Sequence, residues 1–325
     1  MTWEASLWEN YTDGILIIHQ GKIVYEKYFG ELTENDVHAV MSLTKSFTGT
    51  LASILVAEGV LDENKLVSFY VPELVKSAYG DATVREVMDM TTALNYSEDY
   101  ADPNADVWKF SAAGNPNPKP KDYNGPIGYY NYLKTVQKQG QHGEVFGYKT
   151  VNADALGWII SKATGKSVTQ LLSEKIWSKI GMEQDAYYQV DGLGTPFAGG
   201  GLSACLRDLG RFGELVRNMG NWRGKQIIPM AAISDIEKGG NLDAFAQSGH
   251  PNLKGWSYRN MWWMTHDNDG AFAARGVHGQ TIYIDPAAEM VIVRLASHPI
   301  AGNAANDPTS LPAYHAVADF LKQKE

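Results

Sequence analysis

One cysteine, Cys205, occurs in 325 residues. No internal disulfide is available, so the fold must rest on its core alone. No basic stretch followed by an apolar one opens the chain. No apolar run approaches the roughly 20 residues of a membrane span. The expectation is a soluble, cytoplasmic protein without a membrane partner. Basic charge is also short: 28 Lys and Arg stand against 37 Asp and Glu, a net −9, which argues against nucleic acid as a partner. The histidines never pair at ligand spacing on one helix face, and H-E-x-x-H and C-x-x-C are missing, so no metal and no cofactor are expected. The G-x-S-x-G elbow and the phosphate-cradling G-x-x-x-x-G-K-[ST] loop are absent too.

What is present reads as one organised chain. Gly14–His19 is an apolar run, Gln20-Gly21 a turn signal, and Lys22–Tyr28 alternates, which predicts a hairpin. Phe47, Leu51, Ile54 and Leu55 fall at helical spacing in a segment from Thr44 to Glu58 that Gly59 ends. Thr83 and Glu86 form a capping-box signal for a short helix to Met90. Residues Ser97 to Pro126 read as a long loop, of a length often tied to function. Helices are expected at Asn152–Thr164, Val168–Ile180 and Ala204–Met219. Strands are expected at Gly255–Thr265, Ala271–Val277, Gln280–Asp285 and Met290–Ser297, before a closing helix at Leu311–Lys322. Strands at both ends and helices between them suggest one sheet built from both termini.

Ser42 and Lys45, in Ser42-Leu-Thr-Lys45, are the candidate nucleophile and base. Positions i and i+3 share a helix face, so a poorly solvated lysine could take the serine proton. Chance alone supplies about one S-x-x-K in such a chain, and a serine N-cap beside a solvated lysine fits the bare spacing. The apolar approach Ala39-Val-Met41 and the apolar helix favour a buried lysine. Tyr148, next to Lys149, is a candidate proton shuttle whose phenolate a neighbouring ammonium would favour; packing at a helix start is the alternative. Arg275-Gly-Val-His-Gly-Gln-Thr281 lies between two strand signals, where Gly279 admits close backbone approach or marks a bulge. Glu98, Asp99, Asp102 and Asp106 make an acidic loop, either a rim that steers an ammonium group or a solvated turn. Trp256, Tyr258 and Trp262 share strand parity and are expected on one face, as core first and pocket wall second. Cys205 reads as a small buried hydrophobe.

Taken together and in this order, Ser42-x-x-Lys45, Tyr148 and His278-Gly-Gln280 resemble the serine β-lactamase and penicillin-binding-protein superfamily. The branch the chain is similar to holds class C β-lactamases, family VIII carboxylesterases and, most similar, 6-aminohexanoate-dimer hydrolases. That similarity also runs through Asp13-Gly-Ile-Leu-Ile-Ile, Val24-Tyr-Glu-Lys-Tyr, Tyr70-Val-Pro-Glu-Leu, Arg85-Glu-Val-Met-Asp-Met, Glu98-Asp-Tyr100, Gly199-Gly-Gly-Leu-Ser203 and Asp285-Pro286. It implies an α+β fold, an antiparallel transpeptidase-like sheet flanked by helices with an inserted helical region. The sheet domain would comprise residues 1–65 and 190–325, and the helical and loop region residues 66–189.

The resemblance further implies Ser42 as nucleophile, Lys45 as base and Tyr148 as proton shuttle. Backbone N–H groups of Ser42 and Gln280 would form the oxyanion hole. Tyr100, His278, Gly279 and Asn152 would contact substrate, with Gly279 in the place of the K-T-G glycine. The implied activity is that of a serine hydrolase forming an acyl-enzyme with small-molecule esters or linear amides. A β-lactamase or D-Ala-D-Ala carboxypeptidase is the alternative within the superfamily, weakened by the missing K-T-G lysine. A non-catalytic binding or sensor domain of the same fold is the alternative outside catalysis.

Overall fold

The computed structural model describes residues 2–323. Its central element is a seven-stranded antiparallel sheet. In chain order its strands are β1 (Thr12–His19), β2 (Lys22–Tyr28), β3 (Ser257–Arg259), β4 (Trp262–Met264), β5 (Phe272–Gly276), β6 (Gln280–Asp285) and β7 (Met290–Ala296). In space they run β3-β4-β5-β6-β7-β1-β2. The N-terminal hairpin therefore docks against the last strand, with Leu16 opposite Val293 and Ile18 opposite Val291. A small sheet also joins His38–Ala39, Leu202–Ala204 and Tyr187–Tyr188.

Strand side chains alternate faces, and both faces of the large sheet are covered. Ile15, Ile17, Tyr283, Met290 and Ile292 pack under two helices, α1 (Trp3–Glu9) and, from the other end of the chain, Asp307–Lys322. Leu16, Ile18, Ile282, Ile284, Val291 and Val293 join the main core. The helices that fill this core are α2 (Thr44–Ala57), α3 (Asp106–Gly114), α4 (Val151–Thr164) and α5 (Leu206–Arg217); the closing Asp307–Lys322 is α6. No helix among the described residues is long and apolar enough to cross a membrane.

Helix α2 is buried on every side, from Thr44 through Leu55. That is why its polar residues bond inward: Ser46 Oγ donates to the Met261 carbonyl at 2.7 Å, and Trp262 Nε1 donates to Thr50 Oγ1 at 3.1 Å. Arg85 ties the helical region to the sheet, meeting Glu63, Asp89 and Asp235, while Arg259 meets Asp89 and Asp235.

Three sequence expectations change. The stretch from Ser97 to Pro126 holds helix α3, hidden by the proline- and asparagine-rich flanks that punctuate it. Gly255–Thr265 is a hairpin rather than one strand, because Asn260 and Met261 adopt positive φ of 49° and 65° and reverse the chain. That turn also resets the aromatic parity. Tyr258 pairs across with Trp263, while Trp262 points into the core against Phe212 and Phe272.

Helix α2 meets the Asn260–Met261 turn at Gly49, where a Cβ would lie 2.0 Å from the Asn260 carbonyl oxygen. Gly49→Ala is therefore expected to cost about 2–3 kcal/mol of stability through overpacking, read as a lower urea midpoint at unchanged slope. An unchanged midpoint would mean the helix does not seat this closely.

Candidate active site

Ser42 sits in a 3-10 turn (Met41–Leu43) that leads directly into α2. Met41 is held at φ 50°, a left-handed conformation uncommon for a side chain of this kind. One turn on, Lys45 is 1% exposed. Its Nζ donates to Ser42 Oγ at 2.8 Å and to the Gly199 carbonyl at 2.6 Å, and lies 5.1 Å from the centre of the Tyr148 ring. Burial pulls the Lys45 ammonium down to about 8, against the opposite pull of Glu98 and Asp154. A lysine so placed is neutral in a useful fraction of molecules near neutral pH and can accept a hydroxyl proton.

Tyr148 lies just before α4, with its ring 5.3 Å from that of Trp263. Its hydroxyl meets the Ser42 side chain. The expectation that a neighbouring ammonium favours its phenolate is corrected. Lys149 turns away to the Leu94 carbonyl. Burial first, and then the Glu98 carboxylate, push the Tyr148 hydroxyl well above the ordinary tyrosine range. At neutral pH Tyr148 is thus a neutral phenol, able to give a proton rather than remove one.

Two carboxylates frame this group. Glu98 accepts from the Thr150 N–H, the Thr150 hydroxyl and, at 2.8 Å, the Tyr100 hydroxyl. It thereby fastens the loop that carries Tyr100 to the start of α4. Asp154, fully buried on α4, accepts from the Ala198 N–H at 2.9 Å. Any side chain at Gly199 would collide with Asp154 and Thr150, so glycine there lets the Gly199 carbonyl reach Lys45. The acidic-loop reading missed Glu98's inward role, and sequence reasoning missed Asp154 altogether. Its signal was an acid set among the apolar positions Val151, Ala155, Leu156 and Ile159 of one helix. Asp99 and Asp102 build turns instead, capping the Ala101 and Asn104 N–H groups, and Asp106 holds Ser97 and Lys109.

Two cavities meet here, both lined by Tyr100 and Val277. One of about 180 Å³ includes Ser42, and one of about 520 Å³ includes Tyr148 and Trp263. Of the expected substrate contacts, Tyr100 lines both. Asn152 is fully buried and accepts from Thr92. His278 Nδ1 meets the His298 carbonyl at 2.7 Å, and Gly279, at φ 96°, packs against Arg294. Gln280 is fully buried and bonds the Ala296 backbone.

None of these four, Asn152, His278, Gly279 or Gln280, lines either cavity. The glycine that meets the Ser42 turn is Gly276, whose Cβ would lie 2.6 Å from the Val40 carbonyl oxygen and 3.1 Å from the Leu43 nitrogen. Its neighbour Val277 opens a short 3-10 turn, so its N–H has no helical acceptor. The N–H of Ser42, second in its own turn, is in the same position. Ser42 and Val277, rather than Ser42 and Gln280, line the smaller cavity. The strand glycine was assigned three residues too late because His278 and Gly279 form the turn between β5 and β6 rather than the end of β5.

Known proteins resemble this chain. The family model described as Beta-lactamase matches residues 4–312. The chain is 34% identical over 298 residues to the 6-aminohexanoate-dimer hydrolase of Paenarthrobacter ureafaciens, covering 91% of this chain and 75% of that one. A solved Bacillus anthracis structure that carries the 6-aminohexanoate-dimer hydrolase name superposes with TM-score 0.90 at 36% identity, over 99% of this chain and 83% of that one. A family VIII carboxylesterase shares the fold, at TM-score 0.67 and 16% identity over 95% of each chain. With the model match spanning nearly its whole length, the chain belongs to the beta-lactamase family and is a serine hydrolase.

Proposed function

We propose that the protein hydrolyses small esters or linear amides through an acyl-enzyme on Ser42. The observation that carries this is the 2.8 Å contact between Ser42 Oγ and a lysine amine stripped of water. Neutral Lys45 takes the Ser42 proton as Oγ adds to the substrate carbonyl. The oxyanion that forms is held by the Ser42 and Val277 N–H groups, each worth roughly 3 kcal/mol in the transition state. Tyr148 gives its proton to the departing alcohol or amine and regains one by way of Lys45. Water then adds to the acyl carbonyl by the same route in reverse, releasing the acid and free Ser42. The similarity to a protein named 6-aminohexanoate-dimer hydrolase supports amides beside esters as substrates.

Ser42→Ala is expected to abolish turnover of short p-nitrophenyl esters and to remove the acyl adduct seen by mass spectrometry, with the melting temperature little changed. Persisting turnover in that variant would refute the site. The kcat/KM of the native protein should climb with pH along a limb centred near 8, where Lys45 loses its proton. Glu98→Gln keeps an acceptor for the Thr150 N–H but removes the carboxylate that most opposes the burial of the Lys45 ammonium. Its limb should therefore move to lower pH. A limb that stays in place or rises would show that Glu98 does not bear on Lys45.

A further inference from the structure

Residues 198–199 are pinched between the helix that carries the base and the helix that follows Tyr148. Lys45 and Thr48 stand one turn apart on α2, and both reach this segment. Lys45 Nζ donates to the Gly199 carbonyl at 2.6 Å, and Thr48 Oγ1 donates to the Ala198 carbonyl at 2.9 Å. From the opposite side α4 presents Asp154, which accepts from the Ala198 N–H at 2.9 Å through Oδ1. The helix lies flush here, since a Cβ on Gly157 of α4 would come within 2.8 Å of the Ala198 Cβ. Thr48, Asp154 and Ala198 are all buried, so bulk water does not compete for these bonds.

The place of the Gly199 carbonyl matters because a neutral amine has a single lone pair. Lys45 can take the Ser42 proton only with that lone pair directed at Oγ. An N–H fixed on the Gly199 carbonyl sets the rotation of the amine about its Cε–Nζ bond, and with it the direction of the lone pair. A carbonyl displaced by about 1 Å turns the base away, a misplacement of the kind that costs about 100-fold in rate. Two further observations bear on how Asp154 acts. Its Oδ2 is buried without a hydrogen-bond partner, a poor setting for a charge. Burial also holds its carboxyl well above the ordinary carboxylate range.

We infer that Asp154 is a positioning residue of the reaction. Its hydrogen bond to the Ala198 N–H, opposed by Thr48 on the Ala198 carbonyl, sets the Gly199 carbonyl that aims Lys45 at Ser42, and its charge takes no part. The inference deepens the acyl-enzyme reading and rests on it. Asp154 lines neither cavity, so it acts through the backbone rather than on substrate. The same bond ties α4, with Tyr148 just ahead of its first turn, to the segment that holds the base. Proton donor and base thereby keep a fixed relation.

The test uses the full-length protein with p-nitrophenyl butyrate. Turnover is expressed per Ser42 titrated with a fluorophosphonate, which corrects for any unfolded fraction. Asp154→Ala is expected to lower kcat by at least about 100-fold with KM little changed. Asp154→Asn keeps an acceptor for the Ala198 N–H and should recover kcat to within about tenfold of the native value. Its kcat/KM limb should stay within about half a pH unit of the native one. Thr48→Val, close in volume, should lower kcat about tenfold through one lost hydrogen bond, and it decides the matter where Asp154→Ala does not fold. Native kcat in Asp154→Ala or in Thr48→Val overturns the inference. So does an Asp154→Asn variant as slow as Asp154→Ala, or one whose limb moves down by about a pH unit, which would assign the effect to charge. Those outcomes leave the acyl-enzyme reading standing as long as Ser42 is labelled. A native protein that is not labelled at Ser42, or turnover that survives Ser42→Ala, refutes that reading and the inference with it.

Discussion

The amine of Lys45, lodged between the Ser42 hydroxyl and the Gly199 carbonyl, is the constraint around which the rest is arranged. Removing a lysine from water is costly unless partners are supplied. Here the supply is partial: one hydroxyl, one carbonyl and two acids at a distance, one of which, Asp154, is itself held well above the ordinary carboxylate range by burial. Full pairing would keep the ammonium charged and useless as a base, and no pairing would make the buried side chain intolerable. The fold settles between these limits. It does so with a helix buried on all sides, a glycine at 199 that no other residue could replace without collision, and Asp154 fixing the peptide backbone on which Lys45 rests.

The sheet supplies the other half of the site. Strand β5 ends at Gly276, so close to the Ser42 turn that a side chain would strike the Val40 carbonyl. The next residue then offers its N–H where the strand order gives way to a turn. Tyr100 reaches the site from a loop that has little regular structure of its own, but Glu98 clamps this loop to Thr150 and so to the residue stretch that bears Tyr148. The groups proposed as nucleophile, base, proton donor and oxyanion donors thus come from three separate regions of the chain that only the tertiary fold brings together.

Much of this was legible in the sequence where the signal is local. The spacing of Ser42 and Lys45, the hairpin at Gln20-Gly21, the capping box at Thr83 and Glu86, and the strand Gln280–Asp285 all follow from period and turn chemistry. What escaped was set by distant neighbours. Gly276 and Gly279 look equally good as strand glycines, and only packing against Val40 tells them apart. Asn260 and Met261 reverse the chain without a glycine, so a hairpin reads as one strand and Trp263 exchanges faces with Trp262. The protonation of Tyr148 was misjudged because the adjacent Lys149 points elsewhere and burial outweighs it.

The docking of β1 beside β7 has a consequence in time. Ser42 and Lys45 leave the ribosome early, yet the residues that complete their environment, Gly199 and then Gly276 and Val277, follow more than 150 and more than 230 positions later. The hairpin β1–β2 waits longer still for its neighbour. Contacts of such sequence separation form slowly and late. The helical middle can condense while the chain is still growing, but the nucleophile stays without its oxyanion donors until the last strands have been made. The site described above is therefore complete only once the strands near both ends of the sheet have paired.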